Sequence, residues 1–235
     1  MKIAHIKVPA APEAAVYQAF LKALAAHGFA GEIEQDYAKR IVFSTDNSVY
    51  QRLPQATVFP KGTADLVLVA RLAGDALYRE VVLTARGGGT GTNGQSLTDG
   101  IVVDVSRHMN QILTIDAQAR TAVVQAGVVK DQLNAALKPY GLFFAPELST
   151  SNRATIGGMI NTDASGQGSC TYGKTRDHVL GLKTVLLGGT VLDTYALDAA
   201  ALSHEQSKTG LVAQIHQQVD ALVNEHAAAI EATFP

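Results

Sequence analysis

Several residue types or patterns are scarce in this sequence, and each scarcity excludes a kind of bond, surface or segment. A single cysteine, Cys170, rules out a disulfide within the chain and fits a reducing compartment. The 19 lysines and arginines are balanced by 21 acidic residues, so we expect no basic surface for nucleic acid. No run approaches the ~18 uncharged apolar residues of a membrane span, and the first residues contain no signal-peptide core. We therefore expect a cytoplasmic protein, with peripheral membrane contact left open only for a longer form.

Apolar residues and glycines, by contrast, are abundant. Apolar side chains make up 47% of the sequence and charged ones 17%, which is enough for a hydrophobic core and argues against disorder. The 21 glycines are bunched, mainly within residues 87–94, 157–173 and 188–189. Bunched glycines indicate backbone that takes positive φ values or approaches another group closely.

Periodicity and turn residues predict an α+β fold. Residues 57–84 have the pattern strand, helix, strand, which indicates a βαβ unit. The strands after residue 110 are joined by short turns, which indicate antiparallel pairs. The predicted helices cover residues 12–27, 63–77, 129–137 and 210–230, and the predicted strands cover 41–43, 57–60, 80–84, 100–105, 111–115, 121–126, 182–187 and 190–192.

Two glycine motifs match nucleotide-binding signatures but lack the elements that such signatures need. Residues 89–94 fit G-x-G-x-x-G, and residues 168–175 fit G-x-x-x-x-G-K-[ST]. Both signatures require a helix directly after the glycine loop, and here each is followed by a predicted strand. A Rossmann site and a P-loop NTPase are therefore the disfavoured alternatives. The NTPase alternative predicts ATP binding that Lys174→Ala abolishes.

The glycines instead indicate a ligand held by backbone groups. Residues 86–91 lie between two predicted strands, where successive N–H groups can form a nest for an anion. Residues 154–158 repeat the combination of glycine with small hydrogen-bond donors. Two such loops, one from each half of the chain, predict an elongated ligand between them, and a dinucleotide is the obvious candidate. The seven histidines include no pair at i, i+2 or i, i+4, so we expect no metal site.

These motifs resemble the FAD-binding domain of the vanillyl-alcohol oxidase and p-cresol methylhydroxylase superfamily. More narrowly, they resemble the FAD-linked D-2-hydroxyacid dehydrogenases, which act on D-lactate, glycolate or D-2-hydroxyglutarate. The resemblance covers residues 36–195, and residues 44–60 and 143–169 look most like the long bacterial members that carry an iron–sulfur segment downstream. The motifs that carry it are Pro60 and residues 86–94, 146–149, 154–158, 161–166, 172–173 and 179–191.

The resemblance implies a two-lobed α+β FAD-binding domain. Residues 1–53 would form a helical or extended segment, residues 54–120 a small βαβ lobe with the pyrophosphate loop, and residues 121–235 a larger lobe of mainly antiparallel sheet with flanking helices. The family's substrate cap is absent from this chain, so its catalytic residues are expected to lie outside the chain.

The resemblance also assigns cofactor contacts. Residues 86–94 would hold the FAD pyrophosphate, residues 146–149 and 155–158 would line the adenine, ribose and pyrophosphate side, and residues 161–173 would lie nearer the isoalloxazine. Because Thr90 stands where covalent members have a histidine, we expect non-covalent FAD.

Gly88→Val is expected to abolish FAD binding without unfolding the chain. The expected contacts are Pro60, Arg86, Gly87, Gly88, Gly89, Thr90, Gly91, Thr92, Asn93, Gly94, Ser96, Pro146, Glu147, Leu148, Ser149, Thr155, Ile156, Gly157, Gly158, Asn161, Ser165, Gly166, Tyr172 and Gly173.

The reaction that the resemblance implies is oxidation of a D-2-hydroxyacid. The substrate's α-hydrogen would leave as hydride to the flavin while a base takes the hydroxyl proton. Electrons would then pass to a quinone, a carrier protein or an iron–sulfur segment. Because the cap is absent, a flavin-binding electron-transfer module without catalysis is the alternative.

Overall fold

Two hydrophobic cores organise residues 14–234, the part of the chain that the computed structural model describes. Its helices are α1 Ala14–Ala26, α2 Tyr37–Val42, α3 Thr63–Ala73, α4 Lys130–Leu137, α5 Ile156–Asn161, α6 Ser169–Tyr172, α7 Ala199–Ser207, α8 Leu211–Glu225 and α9 Ala227–Thr233. Its strands are β1 Glu32–Glu34, β2 Ala56–Phe59, β3 Leu83–Arg86, β4 Ile101–Asp104, β5 Ile112–Asp116, β6 Thr121–Val124, β7 Gly181–Val185 and β8 Val191–Tyr195. The mixture confirms the predicted α+β class.

The first core lies between a four-stranded sheet and helices α1 and α3. The sheet has the order β1-β2-β4-β3; β2, β4 and β3 run parallel, and β1 is antiparallel to β2. Every residue of β2 and β4 is buried, as expected for parallel strands that are covered on both faces. The βαβ unit predicted over residues 57–84 is confirmed, with β4 inserted between its two strands.

The prediction of a strand at residues 41–43 is wrong, because this segment belongs to the end of helix α2. Asp36 caps that helix: its carboxylate accepts the N–H groups of Ala38 at 3.0 Å and Lys39 at 3.2 Å. A short apolar run has no period that distinguishes strand from helix, whereas a capping aspartate upstream favours the helix. The helix predicted over 63–77 also ends early, at Ala73, and a 3₁₀ turn precedes β3.

The second core lies beneath α4 and α5 and includes Val128, Leu133 and Met159. Strands β5 and β6 form one antiparallel hairpin, and β7 and β8 form another. Both predicted strand pairs are confirmed, and within the described residues they form two separate two-stranded sheets rather than one larger sheet.

The terminal helices differ in detail from their predictions. The helix predicted over residues 210–230 is two helices, α8 and α9, separated at His226, which has φ −105 and ψ 13. The helix predicted over 12–27 runs from Ala14 to Ala26, and residues 12 and 13 lie outside the described part of the chain. Across residues 14–234, no helix has the length and apolar character needed to cross a membrane.

The turn of hairpin β7–β8 packs onto helix α3. The backbone N–H of Gly188 donates to the carbonyl oxygen of Ala70 at 2.9 Å. Gly188 and Gly189 have φ values of 88 and 86, which glycine adopts without strain. A β-carbon on Gly74 would lie 2.9 Å from the α-carbon of Gly188. This close contact joins the parallel sheet region to the region of antiparallel hairpins.

Candidate functional site

A cleft with a volume of about 660 Å³ opens at the carboxyl ends of β3 and β4. Its size is typical of a cofactor site, and the carboxyl ends of parallel strands are where α/β sheets usually bind ligands. One wall is formed by residues 42–47, called here the segment before β2. The others come from the loop after β3 with the end of β4, and from residues that flank α4 and α5. The lining residues are Val42, Phe43, Thr45, Asp46, Asn47, Arg86, Gly87, Gly88, Gly89, Thr90, Asp104, Ser106, Asn110, Gly127, Val129, Gln132, Thr150, Asn152, Arg153 and Thr155.

The loop after β3 brings backbone donors to the cleft. Within the described residues, the N–H groups of residues 87–90 have no hydrogen-bond acceptor, although these residues are only partly exposed. Gly89 has φ 63, which turns the loop. Buried or half-buried N–H groups without acceptors are costly, and successive free N–H groups are the usual elements of an anion-binding nest. The cleft therefore suits a phosphate group at this loop.

Gly87 and Gly88 are needed for contact between two walls of the cleft. A β-carbon on Gly87 would overlap the hydroxyl oxygen of Thr155, and one on Gly88 would overlap the carbonyl oxygen of Arg153. The two glycine-rich motifs predicted to face one ligand are thus brought into direct contact. Because glycine has no side chain, the Thr155 hydroxyl can approach Gly87 and the Arg153 carbonyl can approach Gly88.

Arg86 holds the segment before β2 in place. Its guanidinium donates to the carbonyl oxygen of Thr45 at 2.8 Å and makes a longer contact of 3.5 Å with that of Phe43. It also lies 5.5 Å from the centre of the Phe43 ring, within cation–π range. Burial lowers the pKa of Arg86, the charges of Asp104 and Asp46 oppose that shift, and Arg153 adds to it. Arg86 therefore holds the backbone of Phe43 and Thr45 in place, and its positive charge is offset by Asp46 and Asp104.

The segment before β2 was not predicted to be part of the site. The N–H of Asn47 donates to the carbonyl oxygen of Gly89 at 3.1 Å, and the hydroxyl of Ser96 donates to Asp46 at 2.9 Å. Burial raises the pKa of Asp46, but hydrogen bonds from Ser48 and Ser96 lower it by more, so the net direction is downward. The run of small polar residues from Ser44 to Ser48 was the available sequence signal for this wall.

Asp104 closes the floor of the cleft at the end of β4. Its buried carboxylate accepts the N–H of Ser106 at 2.8 Å, the hydroxyl of Ser106 at 2.7 Å and the N–H of Arg107 at 3.3 Å. All three bonds are accepted by Oδ1 and come from this turn, so Asp104 fixes the backbone that follows β4 at the edge of the cleft.

Of the predicted motif at residues 155–158, only Thr155 lines the cleft. Its hydroxyl caps helix α5 by accepting the N–H of Gly158 at 3.3 Å. The N–H groups of Ile156 and Gly157 donate to the carbonyl oxygens of Val128 and Ala126, each at 2.8 Å. These backbone donors are occupied within the protein, so this helix start offers no free nest.

The remaining predicted contacts lie away from the cleft lining. Near Tyr172, the chain forms a second cluster in which Gly166 abuts the backbone of Glu147, and Tyr172 meets the Phe143 ring edge-on at 5.6 Å. Tyr172 is about half exposed, at 49%. Their assignment to the flavin stays a prediction. Predicted residues outside the lining are Pro60, Gly91, Thr92, Asn93, Gly94, Ser96, Pro146, Glu147, Leu148, Ser149, Ile156, Gly157, Gly158, Asn161, Ser165, Gly166, Tyr172 and Gly173.

Neither nucleotide-binding signature has the structure it would need. The loop over residues 89–94 leads to strand β4 without an intervening helix. Residues 168–175 contain the four-residue helix α6 and are followed only by a 3₁₀ turn, Thr175–His178, before strand β7, and no strand precedes them directly. The Thr175 hydroxyl is fully buried and donates to the carbonyl oxygen of Ala164 at 2.7 Å. Both disfavoured alternatives fail on this geometry.

Comparison with known proteins places the chain in a family. Residues 54–195 match the family described as FAD binding domain. The chain is 63% identical over 219 residues to a D-2-hydroxyglutarate dehydrogenase of Pseudomonas putida, which covers 93% of this chain and 22% of that protein. It is 37% identical over 159 residues to a glycolate oxidase subunit of Bacillus subtilis, which covers 67% of this chain and 33% of that protein.

Solved structures share the fold. An alkyldihydroxyacetonephosphate synthase matches with a TM-score of 0.68 at 22% identity, over 83% of this chain and 36% of that one. A BBE-like 1 protein of Physcomitrella patens matches with a TM-score of 0.66 at 24% identity, over 77% of this chain and 38% of that one. The match over residues 54–195 covers more than half of the sequence. This chain therefore belongs to the FAD-binding domain family.

Proposed function

We propose that this chain binds FAD as part of a flavin-dependent dehydrogenase that oxidises a D-2-hydroxyacid. The observation that carries the proposal is that the N–H groups of residues 87–90 have no acceptor within residues 14–234, while these residues line a cleft that also contains Arg86 and Arg153. Free N–H donors and guanidinium groups together suit the diphosphate of a dinucleotide. We propose that lobes at residues 54–120 and 121–235 meet at this cleft, since its lining includes residues from both ranges.

The substrate class follows from the relatives. Four of them, at 53–63% identity, are D-2-hydroxyglutarate dehydrogenases, but the chain spans only 18–22% of their length. The activity proposed here therefore belongs to a protein of the relatives' length. A quinone, a carrier protein or an iron–sulfur segment is the proposed electron acceptor, and a cytoplasmic location stays a prediction from the sequence.

FAD, when bound, supplies a two-electron acceptor for hydride. The residues of this chain would bind and orient it. We propose that residues 87–90 hold the diphosphate, and that residues 146–149 and 161–173 contact its other parts as the resemblance implies. Thr90 lines the cleft and has no side-chain nitrogen for a histidyl-type bond, so binding is proposed to be non-covalent.

Two assays test the proposal. Acid precipitation of FAD-loaded chain should leave all flavin in the supernatant; flavin that sediments with the protein would contradict the non-covalent mode. A protein of the relatives' length that contains this sequence should reduce a dye acceptor with D-2-hydroxyglutarate and not with its L-isomer. Absence of D-isomer activity in an FAD-loaded protein would contradict the substrate class while leaving FAD binding intact.

A further inference from the structure

Two arginines line the cleft, and their surroundings differ. Arg86 is 9% exposed and its guanidinium is bonded to the backbone of the segment before β2. Arg153 is exposed, and among residues 14–234 its side chain has no hydrogen bond or ion pair. Its backbone is nevertheless fixed, because its N–H donates to the carbonyl oxygen of Thr150 at 2.9 Å and its own carbonyl abuts Gly88. Arg153 is thus anchored beside the glycine loop with a free guanidinium.

The charges in the cleft also distinguish the two arginines. Both carboxylates that line it, Asp46 and Asp104, act on Arg86 and raise its pKa against the effect of burial. Arg153 acts on Arg86 with the opposite sign, so its charge reaches the same region. The charge of Arg86 is largely balanced by its neighbours, whereas that of Arg153 is available to an added anion.

We propose that Arg153 supplies the charge that binds the diphosphate of the dinucleotide, and that Arg86 is a positioning residue that holds the segment before β2 against the glycine loop. This inference rests on the proposed FAD binding. Arginine matches two phosphate oxygens at once. The backbone of Arg153 adjoins Gly88, in the loop whose N–H groups at residues 87–90 have no acceptor in the described part of the chain. Arg86 acts through Thr45 and Phe43, whose carbonyl oxygens it contacts.

The two roles predict different responses to substitution. Arg153→Ala should weaken FAD binding about tenfold or more, the usual effect of losing a hydrogen bond to a charged group. It should also reduce the dependence of FAD affinity on salt concentration, while riboflavin, which has no phosphate, binds equally to both proteins. The melting temperature of the flavin-free chain should not change. Arg79→Ala, at an exposed arginine outside the cleft lining, is the matched control.

Arg86→Lys should lower the stability of the flavin-free chain, which Arg153→Ala should leave unchanged. Lysine keeps the charge but cannot contact two carbonyl oxygens with one planar group. The flavin-free chain should melt at a lower temperature, and amides of residues 43–48 should exchange hydrogen faster. Arg153→Lys should recover part of the lost FAD affinity, because it restores the charge without the bidentate geometry.

The deciding experiment is titration of FAD, ADP and riboflavin into the wild-type, Arg153→Ala and Arg86→Lys chains at two salt concentrations. A selective loss of FAD and ADP affinity in Arg153→Ala, with unchanged melting of its flavin-free form, supports the assignment. Wild-type FAD affinity and salt dependence in Arg153→Ala would overturn it and leave FAD binding itself standing. A wild-type chain that binds neither FAD nor ADP would overturn the proposed function, and the role of Arg153 with it.

Discussion

The carbonyl oxygen of Arg153 lies so close to Gly88 that a β-carbon on Gly88 would overlap it. Residues far apart in sequence thereby meet with no side chain between them, and the meeting point is the edge of the proposed diphosphate site. This contact bears on Gly88→Val, which the sequence predicted to abolish FAD binding without unfolding the chain. The added side chain collides with the opposite wall of the cleft, so we expect damage to the fold as well as to FAD binding.

Gly88→Ala should destabilise the chain by about 1–3 kcal/mol, the usual cost of forcing atoms into a filled space. Urea denaturation of the flavin-free protein measures this change. Gly62→Ala is the control for a β-carbon without a clash, because no atom would lie within 4 Å of it. Gly62 is the N-cap of α3, so this variant should lose only the small cap preference of glycine over alanine. Equal stability of the Gly88→Ala and wild-type chains would show that the two walls separate without cost.

Thr155→Val should lower the free energy of unfolding by about 1 kcal/mol, the typical value of a helix cap. Valine has nearly the same shape but cannot accept the N–H of Gly158, which the Thr155 hydroxyl accepts in the structure. Thr155→Ser keeps the hydroxyl and should retain most of the cap. If valine and serine have the same effect, the cap contributes nothing and packing alone explains the buried position.

Ionisation of Asp46 should make the free energy of unfolding depend on pH. Its folded pKa lies below its ordinary value of 3.8, because bonds from Ser48 and Ser96 outweigh the effect of burial. The stabilisation is therefore present above pH 3.8 and is lost as the pH falls through the folded pKa. Asp46→Asn should remove this component, so wild-type and variant stabilities should converge below that pH. A constant difference between the two pH profiles would contradict the shift.

The contact between the β7–β8 turn and helix α3 can be tested by placing asparagine at Gly188 and, in a second variant, at Gly189. Asparagine tolerates positive φ better than most residues. At Gly189 its β-carbon would lie 3.0 Å from atoms of Val67 and Arg71, whereas at Gly188 it would have no atom within 4 Å. Gly189→Asn should therefore speed hydrogen exchange across residues 181–195, and Gly188→Asn should not. Equal exchange in the two variants would mean that the turn is not docked on α3.

Much of the fold follows from local patterns. The parallel strands β2 and β4 are apolar throughout, and the paired glycines of the β7–β8 turn mark its hairpin in the sequence. Residues 41–43 are apolar, which alone suggests a strand, but Asp36 upstream caps α2 with its carboxylate and the segment ends that helix. A short run is weak evidence when a capping residue precedes it.

The site was less predictable, because the purpose of a glycine depends on tertiary contacts. Gly157 and Gly88 occur in similar motifs, but the N–H of Gly157 donates to Ala126 and that of Gly88 has no acceptor within the described residues. Sequence spacing does not distinguish these cases. The wall formed by Thr45, Asp46 and Asn47 was missed for the same reason, since its contacts are with Arg86, Ser96 and Gly89.

The visible absorbance spectrum tests FAD binding by this chain most directly. Purified chain is mixed with FAD, desalted and scanned, then denatured and scanned again after filtration. Flavin bands should stay with the protein through desalting and should pass through the filter after denaturation. A colourless desalted protein that melts as a folded chain would contradict FAD binding by this chain.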